Sequence, residues 1–225
     1  MKRALRNNGL SLAFGVLFLA TLVAQAFVGL ADFNAGQIAH HGDPISLWRY
    51  IRSSEFGVDV LENWQSEYLQ FSLFIFGTVW LLQRGSPESK ELDKAGRESE
   101  SDQKLREHAD PDSPKWAKVG GLRTWLFSNS LLIVMGAVFL LSWLAQSLAG
   151  TVVMNSENAD HGQPLITWAD YLATPDFWNR TFQNWQSEFL AVGAMIALSI
   201  FLRQRGSSES KPVGAPHHES AVSGE

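Results

Sequence analysis

The chain contains the stretch Asn63-Trp64-Gln65-Ser66-Glu67-Tyr68-Leu69-Gln70 and, 121 positions later, a close copy, Asn184-Trp185-Gln186-Ser187-Glu188-Phe189-Leu190-Ala191. Each copy leads into an apolar run that ends at Arg-Gly-Ser, at 84–86 and at 205–207. We call the five identical residues, 63–67 and 184–188, the NWQSE motif. Its duplication divides the 225-residue chain into two tandem repeats.

Each repeat contains two segments that are apolar enough to cross a membrane. About 20 apolar residues are needed to span ~30 Å of hydrocarbon. The first segment has no charged residue between Asn7 and Ala31. The last has only 14 residues between Glu188 and Arg203, so its span must begin near Asn184 and include Glu188. The predicted spans are about 9–30, 63–83, 126–150 and 184–203.

The first apolar segment also has features of a cleaved secretory signal. Three basic residues precede it, and Ala24-Gln25-Ala26 resembles a cleavage site. The second repeat has Ala145-Gln146 at the matching position in mid-chain, where no cleavage is required. We therefore expect the first segment to remain as an uncleaved span.

Lysines and arginines predict the orientation. Three precede the first span, nine lie in 84–124 and three occur from Arg203 onward, whereas the loops 31–62 and 151–184 contain two and one. Positive residues concentrate on the cytoplasmic side of membrane proteins. Both termini and the central segment are therefore predicted to be cytoplasmic, and the two-span repeats insert in the same direction.

The predicted fold is all-α: a four-helix transmembrane bundle built from two tandem two-helix repeats with parallel insertion. Residues 1–86 form the first membrane repeat and 123–207 the second. Residues 87–122 carry a dense mixture of charges with prolines and glycines, which is typical of a solvated cytoplasmic linker. The polar tail, 208–225, is predicted to be disordered.

The two copies of the motif carry the only formal charges inside the predicted spans, Glu67 and Glu188. On a helix, Asn63, Glu67 and Thr78 share one face, as do Asn184, Glu188 and Ser199 in the second repeat. Polar residues in a membrane are expected to point into the bundle. The candidate polar or ion site comprises Glu67, Glu188, Asn63, Asn184, Trp64, Trp185, Gln25 and Gln146.

Gln25 and Gln146 lie on a helix face that has a similar sequence in the first and third spans. Gln25/Gln146 repeat at the same 121-residue shift, together with Gly15/Gly136 and Gly29/Gly150. Small residues allow membrane helices to approach closely, and an amide can donate a hydrogen bond across the interface. This face is interpreted mainly as a packing surface.

The two outer loops are also similar. His41-Gly42-Asp43-Pro44 is matched to His161-Gly162-Gln163-Pro164, with a one-residue change of register inside this element. Short interfacial helices are predicted at 44–52 and 164–173, with Pro44 and Pro164 in their first turns. Thr174-Pro175-Asp176 reads as the start of the next helix. His41 and His161 are weak candidate metal ligands above the two glutamates.

Several classes of protein are excluded or disfavoured. The absence of cysteine excludes disulfides, thiolate metal sites and covalent c-type haem attachment. No P-loop, dinucleotide fingerprint, HExxH or GxSxG motif occurs. No basic stripe indicates nucleic acid. We therefore expect no enzymatic activity and no cofactor.

The motif, the His-Gly-x-Pro loops and the closing Arg-Gly-Ser resemble an uncharacterised bacterial family of integral membrane proteins. That family is a domain of unknown function built around Asn-Trp-x-Ser-Glu-Phe-Leu-Gln. Here the first copy has Tyr68 in place of Phe, and the second ends with Ala191 in place of Gln. The resemblance covers both repeats and implies a bacterial cytoplasmic (inner) membrane location. It carries no assigned activity.

Two functions are compatible with these features. The first is a non-enzymatic structural or envelope component in the lipid bilayer that associates with itself or with a membrane partner. The second is a small transporter or ion- or proton-coupled carrier that uses Glu67 and Glu188. Carboxylates that converge within about 6 Å would favour the carrier, because close carboxylates share a proton.

Overall fold

The computed structural model describes residues 2–221, and within them the chain is helical without strands. Four helices of 27 to 31 residues dominate, and short ones lie between them. The α-helices in chain order are α1 Lys2–Asn7, α2 Gly9–Ala39, α3 Leu47–Tyr50, α4 Ser54–Trp80, α5 Lys115–Lys118, α6 Gly121–Ser128, α7 Ser130–Asp160, α8 Trp168–Leu172 and α9 Pro175–Phe201; a 3-10 turn covers Arg106–His108.

Two of the described helices, α2 and α7, are long and apolar enough to cross a membrane by length and composition. The most apolar window of each has a mean hydropathy of 2.1, and only 6% and 17% of those windows are buried within the protein. Helices α4 and α9 do not reach this level of hydropathy. The reason lies in their first halves, where charged residues occur alongside the motif: Asp59, Glu62 and Glu67 in α4, and Asp176, Arg180 and Glu188 in α9.

The ends of the long helices differ from the predicted spans. Helices α2 and α7 continue about nine residues past the predicted ends at 30 and 150, whereas α4 ends at Trp80, before the predicted limit of 83. Thr174 accepts a hydrogen bond from the backbone N–H of Phe177 at 3.3 Å, with Pro175 in the first turn, which confirms the predicted start of α9.

The short helices α3 and α8, predicted at 44–52 and 164–173, are shorter than predicted. Pro44 and Pro164 lie before them in extended chain and not in their first turns. Ser46 instead caps α3, by accepting a hydrogen bond from the N–H of Arg49. At α8, Thr167 and Asp170 exchange side-chain-to-backbone hydrogen bonds in a capping box. The hydroxyl groups of Ser46 and Thr167 therefore cap the first turns of α3 and α8.

The chain divides into two compact units, and the first comprises Met1–Leu61 and Ala145–Leu172. Its two loops are held in the same way. The amide of Asn34 donates to the carbonyl of Ile45 at 3.0 Å and accepts from its N–H at 2.8 Å. Asn155 makes the same two hydrogen bonds to Ile166, at 2.9 and 2.8 Å. Each loop is thus tied to the end of its preceding long helix.

Both of these long helices end in a Schellman motif, which corrects the pairing of the histidines. In α2 the N–H of Gly42 donates to the carbonyl of Gln37, and in α7 that of Gln163 donates to Asn158, both at 2.7 Å. The left-handed residue is His41 (φ 64°) in one loop and Gly162 (φ 65°) in the other. His40, not His41, is therefore equivalent to His161, and the 121-residue register continues through the loop without a shift.

A tyrosine from each short helix packs on a glycine of the preceding long helix. A Cβ atom at Gly29 would overlap the hydroxyl of Tyr50, and one at Gly150 would overlap that of Tyr171. Tyr50 and Tyr171 are 3% and 1% exposed. Burial, followed by the charges of Asp59, Glu55 and Asp32, raises the pKa of Tyr50, so its hydroxyl stays protonated.

The second unit comprises Glu62–Leu144 and Ala173–Glu225, and in it α4 and α9 are followed by similar loops. The sequences are Gln83-Arg-Gly-Ser-Pro-Glu-Ser-Lys90 and Gln204-Arg-Gly-Ser-Ser-Glu-Ser-Lys211. Ser89 accepts a hydrogen bond from the N–H of Gln83 at 2.8 Å, and Ser210 accepts one from Gln204 at 2.9 Å. The similarity between the halves therefore extends four residues beyond Arg-Gly-Ser.

The segment after this second loop, predicted to be disordered, forms hydrogen-bonded turns as far as residue 221. Lys211 is 1% exposed, and its ammonium donates to the carbonyls of Pro216, His217 and Glu219 at 3.1 to 3.2 Å. A buried ammonium requires such acceptors, and they order the surrounding chain. Residues 222–225 of the predicted tail lie outside the described residues.

The glycine–tyrosine contact predicts opposite effects for one substitution at two sites of α7. Gly150→Ala should destabilise the protein by about 1–3 kcal/mol, because the added methyl group overlaps the Tyr171 hydroxyl. Gly136→Ala should be neutral or stabilising, because a Cβ there meets nothing within 4 Å and alanine favours helix. Unfolding in detergent micelles measures both. Equal effects at the two positions would contradict the proposed close packing.

Candidate functional site

The NWQSE motifs bring α4 and α9 into polar contact within the second unit. The indole N–H of Trp185 donates to Oε1 of Gln65 at 2.8 Å. The hydroxyl of Ser66 donates to Oε1 of Glu188 at 3.4 Å. One turn earlier, Arg180 lies 3.5 Å from Glu62. Partner numbers rise together along both helices, so α4 and α9 run parallel where they touch.

The two motif copies bury different residues, and in α4 these are not the motif residues of the predicted inward face. Gln65 and Ser66 are 0% and 1% exposed, whereas Asn63, Trp64 and Glu67 are exposed. A two-residue offset turns a side chain about 160° around a helix, so both faces cannot pack on one neighbour.

In the second copy the expected face is the one that packs. Asn184 and Glu188 are half-buried and Ser199 is 8% exposed, while Gln186 and Ser187 are exposed. The sequence therefore identified the contacting residues of α9 but not those of α4. The periodicity of residues within one helix cannot show that the buried face differs between the two copies of the motif.

The two glutamates occupy different surroundings. Glu188 accepts the Ser66 hydrogen bond and is half-buried, whereas Glu67 is exposed. The carboxylate of Glu67 nevertheless interacts electrostatically with that of Glu188.

Aromatic rings surround Trp185 and join α7 to α9 in the same unit. Its ring centroid lies 5.8 Å from that of Trp143 and 5.8 Å from that of Phe182. Trp143 stacks on Phe177 at 5.9 Å, and its indole N–H donates to Thr181, which is fully buried. These contacts hold the Trp185 indole in place, so its N–H is directed at Gln65 by packing as well as by hydrogen bonding.

The paired glutamines of α2 and α7 differ in burial. Gln146 is 1% exposed, and neither its amide nitrogen nor its oxygen has a hydrogen-bond partner among the described residues. Gln25 is half-buried. The predicted packing face is therefore covered at Gln146 and only partly covered at Gln25.

The weak metal hypothesis receives no support from the described residues. No group of three or more histidine and acidic side chains within residues 2–221 is arranged to hold a metal ion. The His161 ring interacts with the backbone carbonyl of Glu157 at 2.8 Å, at the end of α7. His41 occupies the left-handed turn position described above. Both histidines thus belong to the ends of helices.

A groove between α4 and α9 was not anticipated from the sequence. It has a volume of about 380 Å³, lies beyond the motif toward the carboxyl ends of both helices and is mainly apolar. Its polar lining residues are Gln70, Thr78 and Gln83. Gly77 of α4 and Gly193 of α9 lie in its walls, at positions that are not equivalent in the two repeats.

The contact between the motifs predicts a measurable coupling. Gln65→Met and Trp185→Phe should each destabilise the protein, and their double-mutant cycle should give a coupling of about 0.6 kcal/mol, with a limit near 1.7, as for other membrane hydrogen bonds. Reversible unfolding in mixed micelles provides the free energies. Gln186→Met is the matched control, because that glutamine is exposed. Equal coupling of Trp185 to both glutamines would contradict the assignment.

Comparison with known proteins identifies a family but no characterised relative. No curated protein and no solved structure matches the chain. The family described as a domain of unknown function, DUF6766, matches residues 1–222, which is almost the entire sequence. The chain therefore belongs to the DUF6766 family.

Proposed function

We propose that this chain is an integral membrane protein in which α2, α4, α7 and α9 all cross the bilayer as a four-helix bundle. The large apolar side chains on the first and third of these helices support membrane insertion. Leu10 is 75% exposed and Val28 71% exposed on α2, and Leu141 is 64% exposed on α7. An apolar surface of this extent in a soluble chain would require a partner to cover it. Lipid provides that cover.

Helices α4 and α9 are included among the proposed membrane spans because polar residues that lower their hydropathy form hydrogen bonds with each other. Gln65 meets Trp185, and Ser66 meets Glu188. Hydrogen bonds between membrane helices stabilise such pairs, and polar residues there face neighbouring helices. The parallel course of α4 and α9 supports insertion of both repeats in one direction, and the distribution of lysine and arginine favours a cytoplasmic side for both termini and the linker. The resemblance of the motif favours the inner membrane of a bacterium.

The function best supported is that of a non-enzymatic structural or envelope component. The observation that carries this proposal is the hydrogen bond between Trp185 and Gln65, which uses the most distinctive side chains of the motif to join helices. Side chains committed to packing are not free to bind a substrate. The lipid bilayer is the principal proposed partner, and a second copy or another membrane protein is included as a candidate.

Single-cysteine labelling tests the topology, because the natural chain has no cysteine. Asp43→Cys and Gln163→Cys should react with a membrane-impermeant maleimide on intact spheroplasts, and Ser101→Cys should react only after permeabilisation. Four spans place residue 101 inside. If only α2 and α7 cross, residues 43 and 101 lie on one side and 163 on the other, and that labelling pattern would contradict the proposal.

A proton-coupled carrier is the second candidate, and one observation favours it. Glu67 and Glu188 interact electrostatically within the proposed spans, and Ser66 donates a hydrogen bond to the second of them. Coupled carboxylates in a membrane are common elements of proton pathways. The exposed position of Glu67 leaves it open to protons from outside the α4–α9 contact.

Proton flux into proteoliposomes across a pH gradient separates the two candidates. For a structural component, the wild-type chain should transport protons no faster than empty liposomes. Flux that is present in the wild type, lost in Glu188→Gln and retained in Glu157→Gln would replace the structural proposal with the carrier. Glu157 is a suitable control because it lies near the outer end of α7, beyond the predicted span.

A further inference from the structure

The groove between α4 and α9 has about the length of a single lipid leaflet. Its lining begins at Gln70 and continues past the end of α4, and the helical part, 70–80, is about 15 Å long at 1.5 Å per residue. One leaflet contributes about 15 Å of hydrocarbon. The walls are formed by Leu73, Phe74, Leu81, Phe189, Val192 and Ile196. A linear apolar recess of this length matches one extended acyl chain.

An exposed arginine follows directly after the last residue that lines this groove on the α4 side, and the loop that carries it reaches Ile200 near the end of α9. Gln83 lines it, and Arg84 follows at a Cα–Cα distance of about 3.8 Å. Arg84 and its equivalent Arg205 are exposed, and neither guanidinium has a hydrogen-bond or ion-pair partner among the described residues. Both loops contain a glutamate four residues later, yet neither arginine pairs with it.

The other basic residues of these two loops are already used. The ammonium of Lys90 donates to the carbonyl of Gly96 at 3.0 Å and lies 3.0 Å from Glu98. Lys211 is buried among backbone carbonyls. The lysines of both loops are therefore engaged in contacts within the chain, whereas the arginines remain available. Arginine is the basic side chain best suited to bind phosphate.

We propose that the groove binds one acyl chain of an anionic phospholipid, whose phosphate is bound by Arg84 and Arg205 at the cytoplasmic surface. This proposal rests on the four-span topology, which places the groove in the inner leaflet and the arginines at its headgroup level. Anionic lipids are concentrated there, and basic sites on this side of the membrane recognise their headgroups. The apolar recess and the paired arginines together select a lipid over a free phosphate.

The glycine in the α9 wall allows the groove to be filled without disturbing the helix packing. A Cβ at Gly193 meets nothing within 4 Å, so a larger side chain there projects into open space. Gly193→Leu should therefore occupy the groove and also favour the helix. Gly15→Leu is the matched control, because Gly15 is exposed on α2 and a Cβ there also meets nothing within 4 Å.

The test measures binding of phosphatidylglycerol and phosphatidylcholine to the full chain in non-ionic detergent, from the shift of thermal unfolding with lipid concentration. We expect wild type and Gly15→Leu to bind phosphatidylglycerol more tightly than phosphatidylcholine. Gly193→Leu should abolish the shift. The double variant Arg84→Gln/Arg205→Gln should bind phosphatidylglycerol at least about tenfold more weakly, given the contribution of each arginine near an anionic surface.

Three results would overturn the lipid site: equal affinity of the wild type for the two lipids, undiminished phosphatidylglycerol binding by Gly193→Leu, or an equal shift with glycerol 1-phosphate alone. A change of oligomeric state in Gly193→Leu, without loss of lipid binding, would assign the groove to a second copy instead. The cysteine-labelling experiment tests the four-span topology independently of lipid binding. Four confirmed spans without lipid preference would reject this site and leave the proposed membrane function intact.

Discussion

The hydrogen bond from the indole of Trp185 to the amide of Gln65 is the contact on which the arrangement of α4 and α9 depends. In an apolar environment, polar side chains must find partners, because no water is available to replace them. The first halves of both helices are polar, and each helix supplies hydrogen-bonding groups that the other requires. Aromatic rings from α7 and α9 then fix the direction of the indole.

Polar groups also organise the loops that follow the long helices. Where a helix stops, its last carbonyls lose their intrahelical partners. The first unit meets this need with Schellman turns, and the Asn34 and Asn155 amides tie the following loops to the helix ends. In the second unit, Arg203 donates to the last carbonyls of α9, and the Ser89 and Ser210 hydroxyls accept from backbone N–H groups of the loops. The Schellman turns, the asparagine amides and the serine hydroxyls each occur twice, at equivalent positions of the two halves.

Much of this organisation could be predicted from the sequence, because it depends on local patterns. Apolar length located the long helices, and the Thr174-Pro175 signal placed the start of α9 within one residue. The pairing of the histidines could not be predicted, because His41 adopts a left-handed conformation that normally indicates glycine or asparagine. The burial of Gln65 and Ser66 in α4 could not be predicted for a different reason: packing between helices, not periodicity within one, decides which side of a polar helix is covered.

The unequal use of the two motifs has a consequence for the origin and evolution of the chain. Two separate identical subunits related by a twofold axis would have to make every contact twice, once in each direction. A single chain that contains both halves is free from that requirement. Its first copy buries Gln65 while its second exposes Gln186, so substitutions at these two positions are under different constraints. Because both copies belong to one chain, the same five-residue motif can face the protein interior in one copy and present different residues to the surroundings in the other.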